Sequence, residues 1–86
     1  MTTETDYLKL VGENLSLPYF LQASRQEQLA LVQQVETGLQ EMDGVVALTL
    51  VTLSDILLMQ LQLRQFDDQE IIETLQRIRS DGMIAL

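Results

Sequence analysis

The stretch from residue 45 to residue 63 is the most apolar part of this chain, with thirteen apolar side chains among nineteen residues. Its few polar residues are scattered around the circumference of a helix, so no face of it is suited to water alone. A segment of this kind needs cover from the rest of the fold or from another molecule. A chain of 86 residues has little cover to offer, because it buries only about 60 to 65% of its unfolded surface. The stretch therefore predicts self-association or a partner.

The composition narrows the chemistry that this chain can perform. It contains no cysteine and no histidine, which excludes disulfides, thiolate nucleophiles, Ser-His-Asp triads and imidazole metal sites. Catalysis by carboxylates alone needs a deep cleft that a chain of this size seldom builds. We therefore expect no enzyme, no catalytic residues, no cofactor and no metal.

The charge balance argues against two further classes of partner. Thirteen acidic residues against five basic ones give a formal net charge of -8, which opposes contact with nucleic acid and with anionic membranes.

The acidic N-terminus lacks the basic and apolar regions of a signal peptide, so we expect the cytoplasm. The central stretch has the length of a membrane span, but Asp55 at its middle would cost about 2.5 to 3.5 kcal/mol there.

The first part of the chain predicts a short N-terminal helix. Thr5 and Asp6 can open it, and Pro18 stops it. Leu17 precedes that proline and is expected to be extended, so residues 16–23 are predicted to form a connector. The apolar positions of this helix recur at intervals of three and four residues: Leu8, Val11 and Leu15.

A capping box predicts where the next helix begins. The Ser24 hydroxyl and the Glu27 carboxylate, three residues apart, can satisfy backbone amides that have no partner at a helix start. The helix that follows has one apolar face, made by Val32, Val35, Leu39 and Met42. Asp43-Gly44 is expected to end it.

The central stretch permits two structures. As one helix over 45–65 it carries two apolar stripes. The first is Val46, Leu50, Leu53, Leu57 and Leu61, and the second is Val45, Leu48, Ile56, Met59 and Leu63. As a hairpin turning at Ser54-Asp55 it would also place its apolar residues on one face, which leaves an α+β fold as the alternative. Helix is favoured, because Ser-Asp is a poor hairpin turn and residues 55–65 are strong helix formers.

A second capping box, Asp67 and Glu70, predicts a last helix over 68–80 that ends at Gly82. Asp68 lies between them, and the three carboxylates could attract a calcium ion. The calcium-binding loop of an EF-hand is missing, however, so capping explains these acids better.

Three side-chain contacts are also predicted. Glu73 and Arg77 have the spacing of an ion pair along one helix. Met83 and Ile84 are expected to fold back onto the helix end. Asp55 is expected to take a capping or turn role with its neighbour, in preference to a buried pairing with Arg64 or with a cation of another chain.

These observations predict a single helical domain over residues 1–86. Its fold class is all-α, a small bundle of three main helices plus a short N-terminal one, and we expect it to be a dimer or another homo-oligomer. Four residues are predicted to form the protein interface, because both the helix and the hairpin place them in the buried set: Val46, Leu50, Leu57 and Leu61.

The predicted function is binding, as an acidic cytoplasmic interaction module such as an adaptor, a regulator or a small chaperone. One alternative is an acidic nucleic-acid mimic or antitoxin-like inhibitor that occupies a basic groove on another protein. Another is a central helix inserted in a membrane. We expect a protein partner, no direct contact with nucleic acid and no membrane.

Overall fold

The described part of the chain consists of helices joined by short connections. A computed structural model describes residues 3–41 and 46–85, and within these ranges it contains no strand. The helices are α1 Glu4–Asn14, α2 Leu17–Gln22, α3 Arg25–Leu39, α4 Ala47–Leu63 and α5 Gln69–Ala85. The all-α prediction is confirmed and the hairpin alternative is wrong, because Ser54 and Asp55 lie in the middle of α4.

The five helices enclose one apolar core. α5 lies at its centre, packed along α4 on one side and against α3 on another, while α1 covers α3 and α4. The core residues are Tyr7, Val11, Leu15, Phe20, Val32, Val35, Leu39, Val46, Leu50, Leu57, Leu61, Ile71, Leu75 and Ile78.

The start of α1 and the form of α2 differ from the prediction. The Thr3 hydroxyl accepts a hydrogen bond from the Asp6 N–H at 3.1 Å, so α1 begins one residue after Thr3. Pro18 lies inside the first turn of α2, where a missing N–H costs no helical hydrogen bond. The connector predicted over 16–23 is thus largely a short helix, and Ser16, not Leu17, is the extended residue.

The Ser24 cap of α3 is confirmed, whereas the Glu27 carboxylate bonds to the Ser24 hydroxyl. The Ser24 Oγ accepts from the Glu27 N–H at 3.2 Å and donates to the Glu27 Oε1 at 3.1 Å. Val32, Val35 and Leu39 are buried as predicted. The helix ends at Leu39, and the predicted stop at Asp43-Gly44, like Met42, lies outside the described residues.

The bounds of α5 correct two predictions. Its start is capped by Asp68, whose Oδ1 accepts from the Ile71 N–H at 3.4 Å, and not by Asp67. Gly82 does not end the helix. It is buried, and a Cβ added there would lie 2.8 Å from the Cγ2 of Val51 on α4. The glycine therefore permits close helix packing.

The last residues of α5 also differ from the prediction. Met83 and Ile84 continue the helix with exposed side chains and do not fold back.

The turn between α4 and α5 has the hydrogen bonds of a Schellman motif. The Phe66 N–H donates to the Leu61 carbonyl and the Gln65 N–H donates to the Gln62 carbonyl, both at 3.0 Å. Gln65 has a φ of 59°, a conformation that favours glycine. The motif turns Phe66 back toward the bundle, where its ring centroid lies 6.4 Å from that of Phe20.

Two ion-pair clusters join α3 to the region of α5. The Arg25 Nε lies 2.7 Å from Asp68, and its Nη2 lies 2.6 Å from Glu70. The hydrogen bond from Arg25 holds the pKa of the Asp68 carboxyl below its usual value.

The second cluster is centred on Arg77, which pairs with Glu36 of α3 at 3.0 Å and not with Glu73 as predicted. The hydrogen bond to Glu36 raises the pKa of Arg77. Arg77 thus pairs with an acid of another helix in place of Glu73 on its own helix.

Tyr7 is the buried polar anchor between α1 and α3. Its hydroxyl donates to the Val35 carbonyl at 2.8 Å, and its ring has no exposed surface. Burial raises the pKa of Tyr7 from 10.0 to about 12, because the tyrosinate would lose its hydration inside the bundle.

This pKa predicts a loss of stability at alkaline pH. The folded state holds the Tyr7 proton more tightly than the unfolded state, so its contribution is complete below the unfolded pKa of 10.0 and falls as the pH rises toward about 12. The slope should be about 1.4 kcal/mol per pH unit. Urea unfolding of wild type and Tyr7→Phe across this range measures it, since only wild type carries this term.

Tyr19→Phe is the matched control, because Tyr19 is 56% exposed. It should lose stability with rising pH in the same way as wild type. Parallel curves for wild type and Tyr7→Phe would contradict the assignment.

Candidate interaction surface on helix α4

The outward side of α4 carries a row of large apolar side chains with little cover. Leu48, Ile56, Met59 and Leu63 are 64%, 48%, 52% and 71% exposed. With the exposed Thr52 between them they recur at intervals of four, four, three and four residues, which places them on one line along the helix. We call these five residues the outer stripe.

The outer stripe contains no charge and no polar group that requires a water partner. Thr52 is its only polar residue, and the Thr52 hydroxyl donates to the Leu48 carbonyl of the preceding turn at 2.8 Å. That bond satisfies the hydroxyl donor within the helix. The stripe is therefore a continuous surface that another apolar surface can cover without leaving a donor unpaired.

The four residues predicted as the interface lie on the opposite side of α4. Val46, Leu50, Leu57 and Leu61 are at most 1% exposed and pack in the core of the single chain. For these four residues of the apolar stretch, the cover that the sequence predicts comes from the chain's own fold. A contact with another molecule through them would require the bundle to open.

The second stripe seen in the sequence is the one that the fold leaves uncovered, and Val45 of that stripe lies outside the described residues. One sequence signal separates the two sides of α4. Small residues, Ala47 and Ser54, lie beside the core stripe and are fully buried. A helix approaches another closely where its residues are small, and the buried Gly82 provides the matching position on α5.

Asp55 lies at the edge of the outer stripe. It forms an ion pair with Arg79 of α5, and the two side chains are about half exposed. The capping or turn role predicted for Asp55 is wrong, since the residue lies in the middle of a helix. The alternative pairing with Arg64 is also not formed, because the Arg64 Nη1 donates to the Gln60 Oε1 at 2.6 Å.

A groove lies between α1 and α3. It has a volume of about 530 Å³ and is lined by residues that include Leu10, Gln34, Thr37 and Glu41. Glu41 is the only carboxylate among its described lining residues.

Metal ligands do not cluster in the part of the chain that the structure describes: no three acidic side chains come together there as a group that could hold an ion. Asp68 and Glu70, considered above for calcium, both bond to Arg25. Over residues 3–41 and 46–85, no helix combines the length and the apolar character that crossing a membrane requires.

Comparison of the chain with models of protein families, with curated proteins and with solved structures finds no match. The outer stripe and the ion pairs of the chain are the features that bear on its function.

Proposed function

We propose that this chain is a small acidic interaction module of the cytoplasm, of the adaptor, regulator or small-chaperone kind, that docks through the outer stripe and associates with a second copy of itself. The observation that carries the proposal is the exposure of four large apolar side chains in one uncharged row. Depletion of charge around exposed apolar residues is typical of the centre of a protein interface.

The ion pairs formed by four of the acids support docking over charge mimicry. A nucleic-acid mimic needs carboxylates that are free to face a basic groove. In this chain Glu36, Asp55, Asp68 and Glu70 are each paired with an arginine of the same chain. These acids are used to join helices to one another.

The test is the solution mass of wild type beside two variants that each add one negative charge. Met59→Glu places the charge in the outer stripe, and Gln33→Glu places it on the exposed side of α3. Wild type and Gln33→Glu should rise with concentration from the 9.8 kDa of one chain toward twice that value. Met59→Glu should weaken association by at least tenfold, because a carboxylate would be desolvated in the contact.

The salt dependence of the solution mass, measured by sedimentation, gives an independent control. Two chains of charge -8 repel each other, so raising the salt should strengthen self-association. The complex of a nucleic-acid mimic with a basic partner would instead weaken as the salt is raised, because salt screens their attraction. A wild type that keeps the mass of one chain up to millimolar concentration would contradict the self-association proposal.

A further inference from the structure

The spacing of the outer stripe is self-complementary when a second helix runs in the opposite direction. Around a point midway between residues 55 and 56, Leu48 exchanges places with Leu63 and Thr52 with Met59, while at the centre Ile56 exchanges with Asp55 at the edge of the stripe. A two-fold axis through that point would therefore bring leucine against leucine at each end and the small Thr52 against the long Met59. In a parallel pair each residue would meet its own copy, leaving two short side chains facing at Thr52 and two long ones at Met59.

On this basis we propose that two copies pack α4 against α4 in antiparallel orientation, about a two-fold axis near Ile56. The inference rests on the proposed function and specifies its first partner and the geometry of the contact. Ile56 and Asp55 lie equally near the axis, so Ile56 of each copy would lie beside both Ile56 and Asp55 of the other, and the two ends of the stripe would cover each other.

The charges at the edge of the stripe are compatible with this pairing. Asp55 and Arg79 already form an ion pair, and Asp55 lies within one residue of the axis along α4. The antiparallel dimer would thus bring two such pairs together, so that each carboxylate would gain a second guanidinium nearby. No uncompensated charge would be buried, and opposite helix ends would lie side by side, which suits their dipoles.

The size of the surface predicts a weak dimer. The stripe spans fifteen residue steps, or roughly 22 Å at about 1.5 Å per residue. One helix face of this length buries less surface than the roughly 800 Å² per partner of a standard interface. We therefore expect dissociation constants on the order of micromolar. The dimer should therefore exchange subunits readily on mixing.

Engineered cysteines can read the orientation directly, because the natural chain has no cysteine. Leu48→Cys and Leu63→Cys are prepared separately, mixed in equal amounts and treated with a mild oxidant. The antiparallel dimer should give a disulfide between the two different variants, and Ile56→Cys should crosslink with itself. In each end variant alone the two sulfurs would lie roughly 22 Å apart, too far for a disulfide.

Gln33→Cys, on the exposed side of α3, gives the background of random collisions. Circular dichroism of each variant verifies that the helices are retained. Crosslinking of Leu48→Cys with itself, and of Leu63→Cys with itself, would overturn the antiparallel arrangement in favour of a parallel one.

The remaining outcomes separate the geometry from the function. If sedimentation shows a wild-type dimer but all these pairs crosslink only at the level of Gln33→Cys, the antiparallel contact is wrong and the interaction proposal stands. If wild type stays at the mass of one chain and no pair crosslinks, the antiparallel contact and the self-association part of the proposed function are both overturned.

Discussion

Leu57→Asp is expected to unfold this protein at room temperature. Leu57 is 1% exposed in the core, so the substitution would remove a packed side chain and bury a carboxylate without a partner. Leucine truncation alone costs about 2 to 5 kcal/mol, and the charge adds several more. A chain of 86 residues has a total stability of about 4 to 13 kcal/mol. Far-ultraviolet circular dichroism and urea unfolding would measure the loss.

Leu48→Asp is the matched control, since it makes the same chemical change on the same helix at a side chain that is 64% exposed. At a concentration where the chain is monomeric, its free energy of unfolding should stay within about 0.5 kcal/mol of wild type. An added acid in the first turn of α4 also suits the helix dipole. Equal destabilisation by the two variants would show that the two sides of α4 are not distinguished as described.

Among the glycines that the structure describes, Gly38 is the one where alanine is expected to be most damaging. A Cβ at Gly38 would lie 2.6 Å and 2.9 Å from two ring carbons of Tyr7. Tyr7 has no exposed surface and is held by its bond to the Val35 carbonyl, so its ring has no room to retreat. Overpacking of this kind costs about 1 to 3 kcal/mol, measurable as a lower urea midpoint.

Gly12→Ala provides the opposite result in the same experiment. Gly12 lies within α1 and has nothing within 4 Å of an added Cβ, so alanine should stabilise the chain by about 0.5 to 1 kcal/mol through helix propensity. The two alanine variants should thus move the urea midpoint in opposite directions. A stabilising Gly38→Ala would mean that α1 and α3 pack less closely than the structure indicates.

The helix starts were the most predictable part of the fold. Ser24 and Glu27 make a local signal that needs no information from distant residues, and α3 begins where they place it. Thr3 and Asp68 show the limit of such signals, because the residues beside them could serve equally well as caps. Which one is used depends on where the chain meets its neighbours, as when Arg25 reaches Asp68.

The helix ends were harder to predict. Gly82 is a common stop signal in sequence, yet here it is an interior position whose missing side chain makes room for Val51. That role depends on a residue thirty-one positions away along the chain, and no local pattern contains it. Pro18 was misinterpreted for a related reason, since a proline in a first helical turn and a proline that stops a helix have the same local sequence.

Both apolar stripes of α4 were visible as a pattern, and the four residues predicted as the interface lie in the core of the single chain. Periodicity identified both apolar stripes, but it does not say which one faces the core. Burial of Leu50 and Leu57 together with exposure of Ile56 and Met59 follows from tertiary packing. The prediction that this helix must find cover remains, and it now applies to the outer stripe.

Helix α4 also has a consequence for how the protein reaches its native state. Because both of its sides are rich in leucine, hydrophobicity gives little energetic preference for one rotation of the helix over another turned by half a circle. The free-energy difference between the native packing and the rotated one must then come from steric fit. The residues that provide this fit are the fully buried Ala47 and Ser54 of α4 and the buried Gly82 of α5. These three small residues thus favour the native rotation of α4. We expect a bulky substitution at any of them to destabilise that packing relative to a rotated, misfolded bundle.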